Sequence, residues 1–128
     1  MSKEPIFAPM SNEIVKTSHI KVEIGLNAEK TPVKIQWQAQ DDPNVDGLQE
    51  SKALMLSLFD KRTRDTLRID LWTTEMQINE MDRFIYSNIK AMADTYFKAT
   101  KNKELAEDMR RFVQYFGEKT EILPKSKD

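Results

Sequence analysis

The hydrophobic period of this chain changes once, and the position of that change constrains the fold more than any other feature. Up to Trp72 apolar residues recur at every second position; from Met81 they recur with the spacing of a helix face. Ile20, Val22, Ile24 and Leu26 alternate with Lys21, Glu23 and Gly25, the pattern of a half-buried strand. Residues 27–31 supply a turn, after which Val33, Ile35, Trp37 and Ala39 alternate with Lys34, Gln36 and Gln38 to complete an antiparallel hairpin. Residues 41–47, with Pro43 and Gly47 among acids, read as a loop. Leu54, Leu56 and Leu58 then alternate with Met55, Ser57 and Phe59. A polar turn leads to Leu67, Ile69 and Leu71, which alternate with Arg68, Asp70 and Trp72. Residues 50–59 also contain good helix formers, and Asp46 or Ser51 is a possible helix cap, so a helix stays open there. Two alternating rows around a turn favour the strand.

Beyond Trp72, Thr74 and Gln77 are spaced as a capping box. Met81, Phe84, Ile85, Ile89, Met92, Ala93 and Tyr96 form one helical stripe, with Asp82, Arg83, Lys90, Asp94 and Lys98 on the other faces. After a break at residues 100–103, Leu105, Met109, Phe112, Val113 and Phe116 face inward on a shorter helix, with Gly117 near its end and a prolongation through Glu118 to Ile122 left open. The expected fold is α+β, a two-layer sandwich. A four-stranded antiparallel sheet, its third strand alternatively helical, is covered on one face by two C-terminal helices, with Leu67, Ile69 and Leu71 turned towards them. The expected organisation is a flexible N-terminal arm over residues 1–16, one α+β domain over 17–122 and a frayed tail over 123–128. At 128 residues a second independent core is not expected.

Most chemistry is excluded by what the chain lacks. Lys and Arg number 20 against 21 Asp and Glu, so no net field draws the chain to nucleic acid or anionic membrane. No cysteine is present, which removes disulfides, thiolate nucleophiles and soft metal sites. No segment reaches the roughly 18 apolar residues of a membrane span, and the N-terminus has no signal-peptide core. A cytoplasmic protein without membrane insertion is the expectation. The single histidine, His19, has no triad partner nearby, and with Gly25, Gly47 and Gly117 as the only glycines there is no phosphate-cradling loop. Glu80 and Asp82 lie on a helix surface with nothing to desolvate them. The acids of residues 41–47 do not have the spacing of a calcium loop. Arg110, Arg111, Lys101 and Lys103 are interleaved with Glu104, Glu107 and Asp108, which makes a solvated helix face. The expectation is no enzyme, with no catalytic residue, cofactor or metal.

One row asks for a role. If Leu67, Ile69 and Leu71 point to the core, Arg68, Asp70 and Trp72 join Met55 and Phe59 on the opposite face of the sheet. Aromatics and methionine beside an arginine have the composition of a protein interface. The competing reading folds Trp72 under the chain and pairs Arg68 and Asp70 with neighbouring strands. A homo-oligomeric contact through this face, or through an unpaired edge strand, satisfies both.

The segments KALMLSLFD, DTLRIDLWTTEM, INEMDRFIYSNIKAMADTYFKAT and MRRFVQYFGEKTEI together resemble the GldC family of bacterial gliding-motility-associated proteins, over roughly residues 17–122. The resemblance implies association with gliding motility, whose machinery overlaps type IX secretion, and brings no catalytic residues with it. In topology alone, four strands followed by two helices is also similar to the SecB export chaperones. The function expected is therefore a cytoplasmic accessory protein that binds protein partners and self-associates. A chaperone-like holder of unfolded export substrates is the alternative.

Overall fold

The alternating segments are strands in the computed structural model of the chain, which describes residues 6, 11–40 and 47–125. Most of the expected arm, the loop at 41–46 and the tail at 126–128 lie outside the described residues; 11–16 carry no regular secondary structure. The strands are β1 (Ile20–Leu26), β2 (Pro32–Ala39), β3 (Gln49–Ser51), β4 (Ala53–Phe59) and β5 (Thr66–Trp72); the helices are α1 (Ile78–Thr100) and α2 (Lys103–Lys119). The segment open to two readings is thus strand. Contacts divide the chain into two compact units, one of strands over Glu13–Met76 and one that holds both helices.

In the strand unit β1 and β2 pair antiparallel from Ile20↔Ala39 inward. Their turn is set by Asn27, whose Oδ1 accepts from the backbone N–H of Glu29 and of Thr31, both at 3.0 Å. An asparagine that replaces backbone acceptors in this way makes the reversal local. Lys30 takes the left-handed conformation that the turn requires, at φ 64°. β2 lies between β1 and β3, and its Ile35 sits opposite Ile24 on one side and Ser51 on the other. Flanked on both edges, Ile35 is fully buried.

The sheet is not the single four-stranded one expected from the alternation. Among the described residues the strands form a three-stranded sheet, β1-β2-β3, and a two-stranded sheet, β4-β5. The break falls at Lys52. Extending the register Ile35↔Ser51 by one residue would set Lys34 opposite Lys52, a like-charged pair, and two residues further lies Pro32, which has no N–H to donate. The chain turns instead. Lys52 O accepts from Thr73 N at 2.8 Å and Pro32 O from Thr74 N at 3.2 Å, so the end of β5 fastens both sheets.

β4 and β5 pair without a register shift from Ala53↔Trp72 to Phe59↔Thr66. Asp60 closes their turn: its Oδ2 accepts from Thr63 N at 2.7 Å, Thr63 Oγ1 at 3.0 Å and Arg62 N at 3.1 Å. The hydrogen bonds from Thr63, with that from Arg62, hold the Asp60 carboxyl below its ordinary value. Because the folded value is the lower one, the turn's stabilisation is complete above the ordinary aspartate range and is lost as pH falls through the depressed folded value. Titration of the Asp60 carboxyl carbon by NMR should give a midpoint below that of an unstructured aspartate; an ordinary midpoint would show that these bonds do not persist in solution.

The row expected to be core is less covered than the alternation suggests. Leu71 is half-buried, but Leu67 and Ile69 are 58% and 49% exposed, as are Leu56 and Leu58 across from them in part. Alternation establishes which side chains share a face; it carries no information on how deeply that face is covered.

The helices are joined by Lys101 and Asn102 alone, a link that makes them antiparallel neighbours. Lys101 is left-handed, at φ 60°, and its N–H bonds Phe97 O at 2.8 Å, while Asn102 Oδ1 accepts from Leu105 N at 3.1 Å and caps α2. α1 starts later than the Thr74 spacing suggests. The amides of Thr73 and Thr74 are engaged with the strands, and the capping carboxylate is Glu80, which accepts from Gln77 N at 3.1 Å. The seam buries small residues, Ala93, Ala106, Val113 and Gly117. Met92, Leu105 and Phe112, expected inside, are exposed, because the apolar stripe is wider than the seam between two helices. Gly117 lies inside α2, which runs on to Lys119. The left-handed residue beyond the helix is Glu121, at φ 64°, and it turns Leu123 back so that Leu123 N bonds Gly117 O at 3.0 Å.

Candidate functional site

The β4–β5 register sets Trp72 opposite Ala53, Asp70 opposite Met55, Arg68 opposite Ser57 and Thr66 opposite Phe59. Directly opposed residues share a face. Met55, Phe59, Arg68, Asp70 and Trp72 therefore stand on one side of this hairpin, opposite to the Leu67, Ile69 and Leu71 row. Phe59 is 71% and Trp72 56% exposed, whereas Met55 is half-buried. Trp72 is thus not folded under the chain.

Between the two aromatics Arg68 and Asp70 form a bidentate pair, with Nη2 to Oδ1 at 3.0 Å and Nε to Oδ2 at 3.3 Å. The hydrogen bonds to Asp70, then its charge, raise the guanidinium above its ordinary value. An exposed pair of this kind adds little stability. It holds a cation and an anion at fixed positions between two exposed rings.

Two further surfaces lie outside the Arg68, Asp70 and Trp72 row. In the strand unit, a cleft of about 370 Å³ is lined by Lys34, Glu50, Lys52, Thr73 and Glu75. Thr73 is 3% exposed, and its Oγ1 has no hydrogen-bond partner. In the helical unit, Ile89, Met92, Met109, Phe112 and Val113 line a wholly apolar groove. Its residues include Ile89 and Met92 of the α1 stripe, whose spacing favours core packing over a cofactor or peptide groove, and the structure leaves part of that stripe open. The cleft left no signal, since Lys34, Lys52 and Thr73 are brought together only by the junction at Lys52.

Several other polar residues singled out in the sequence have structural partners. His19 Nδ1 lies 3.0 Å from Gln40 Oε1 at the open end of the first hairpin. Arg110 bonds Glu107 at 2.9 Å and reaches from α2 to Asp94 of α1 at 3.2 Å, with its guanidinium 5.7 Å from the Phe97 ring centre. Lys101 lies 5.7 Å from the same ring centre, and Arg111 pairs with Asp108. Among the described residues, no group of three His, Asp or Glu could hold a metal ion, and no helix is long and apolar enough to cross a membrane.

Among the described residues, five strands followed by a helical hairpin, with aromatic, charged and apolar side chains left at the surface, define a small α+β protein. Comparison with known families gives this class a more particular place. The chain belongs to the family described as gliding motility-associated protein GldC-like, whose model matches residues 32–122. That match runs from the first residue of β2 past the end of α2 and leaves β1 outside, a shorter span than the 17–122 of the sequence resemblance. No curated protein and no solved structure matches the chain.

Proposed function

We propose that this chain is a non-enzymatic, cytoplasmic interaction protein of bacterial gliding motility and of the type IX secretion apparatus linked to it. Family membership supports the association with motility. The observation that carries the interaction role is the placing of Phe59, Arg68, Asp70 and Trp72 on one face of the β4–β5 hairpin, with both aromatic rings open to solvent. A partner docking there gains apolar burial from the rings and orientation from the fixed charge pair, the division of labour common at protein interfaces. Pull-down from gliding cells with Arg68→Ala and Trp72→Ala should lose partners that the wild type retains. An identical partner set in folded variants removes this face from the binding role.

A second reading, a holder of unfolded export substrates, is favoured by the apolar groove at Met92, Met109 and Phe112. Such a holder suppresses aggregation of unrelated unfolded proteins at near-stoichiometric ratio. Absence of suppression sinks this reading and leaves the first intact.

A further inference from the structure

We propose that a second copy of this chain pairs with the free edge of β5, antiparallel, in a two-fold register centred on Ile69. This inference goes beyond the role in motility and does not depend on it. Among the described residues β4 is the sole strand partner of β5, and every β5 residue except Leu71 is exposed. An exposed strand edge presents a row of backbone donors and acceptors that another chain can complete.

The flanking hydrogen bonds fix which backbone groups lie on that edge. Asp60 N donates to Asp65 O, and Thr73 N donates to Lys52 O. Bonded and non-bonded pairs alternate along an antiparallel ladder, so Leu67, Ile69 and Leu71 direct their N–H and C=O groups to β4. Those of Thr66, Arg68, Asp70 and Trp72 point away. A two-fold pairing must join these outward residues to one another, and three central registers can do so. Centring on Arg68 sets arginine opposite arginine, and centring on Asp70 sets aspartate opposite aspartate. Centring on Ile69 sets each Arg68 opposite the partner copy's Asp70.

The strand Thr66-Leu67-Arg68-Ile69-Asp70-Leu71-Trp72 is thus charge-complementary to itself in one register and self-repelling in the two beside it. The same register opposes Leu67 to the second copy's Leu71, so the row continued on β4 by Leu54, Leu56 and Leu58 becomes one apolar face across four strands. On the other face each exposed Trp72 meets the second copy's Thr66 and, beyond it, Phe59. The contact is isologous, as a two-fold dimer requires.

Sedimentation equilibrium on the full chain tests the register. The wild type should associate reversibly as a dimer. Arg68→Asp and Asp70→Arg each set like charges opposite one another at two symmetric positions and should each weaken the dimer roughly 30-fold. Mixed in equal amounts, the two variants restore both Arg–Asp pairs and should recover association as a heterodimer. A monomeric wild type, variants that dimerise as tightly as it does, or a mixture that does not recover would each overturn the proposal. Should the charge variants fold poorly, Ile69→Cys decides. The chain has no other cysteine, and Ile69 would face its own counterpart at about 4.5 Å between Cα atoms, so mild oxidation should give a disulfide-linked dimer. A folded Ile69→Cys protein that stays uncrosslinked also overturns it.

Discussion

Ile35→Ala should destabilise the chain by about 2 to 5 kcal/mol, the largest loss expected from any single apolar truncation in the strand unit. Ile35 is the largest fully buried side chain among the described residues, and it stands on the middle strand with a neighbour across each edge. β1 and β3 are held by the same ladders that border it, so the surroundings cannot collapse into the space without breaking pairs. Against a total stability of about 5 to 15 kcal/mol for a domain, such a loss is a large fraction. Urea unfolding should show a much lower midpoint for Ile35→Ala and a small change for Val33→Ala, whose side chain is exposed. Equal midpoints for the two would place the core elsewhere.

The second large effect is expected at Gly117. A Cβ there would lie 2.6 Å from Leu123 Cδ1 and 2.9 Å from both Leu123 Cγ and Tyr86 Cε2. Gly117→Val adds two methyl groups beyond that Cβ and should lose about 1 to 3 kcal/mol by overpacking. Gly117→Ala should lose less, because alanine recovers up to about 1 kcal/mol of helix propensity. Coupling separates steric conflict from any loss of backbone freedom. In a Leu123→Ala background the Gly117→Ala substitution should become neutral or stabilising, whereas strictly additive free energies would show that Leu123 does not set the limit.

Local forces are the ones legible in the sequence. β1 and β2 were legible because alternation and the Asn27 turn act within a few residues, and the extents observed agree with the apolar rows. β4 and β5 were legible for the same reason, with Asp60 closing the turn. The division into two sheets was not. It depends on the β2–β3 register stopping short of setting Lys34 opposite Lys52, and on Pro32 O receiving the Thr74 N–H, relations between residues far apart in the chain. The place of Gly117 near the end of α2 was legible, but that it makes room for Tyr86 and Leu123 was not.

The candidate face shows the same boundary. That Met55, Phe59, Arg68, Asp70 and Trp72 share a side followed from parity once residues 53–59 are taken as strand. That Leu67 and Ile69, on the other side, are half open to solvent did not follow, since parity is blind to what covers a face.

The bond from Thr74 N to Pro32 O has a bearing on how the strand unit forms. Among the described residues every ladder joins strands adjacent in sequence, so contact order within this unit is low. Thr74 to Pro32 instead closes a long loop, whose entropy must be met before the bond gives anything back. The bond is therefore expected to form late in folding and to open early. In hydrogen exchange the Thr74 amide should therefore lose protection before those of β1 and β2, which makes it the natural reporter of the first subglobal opening of the strand unit.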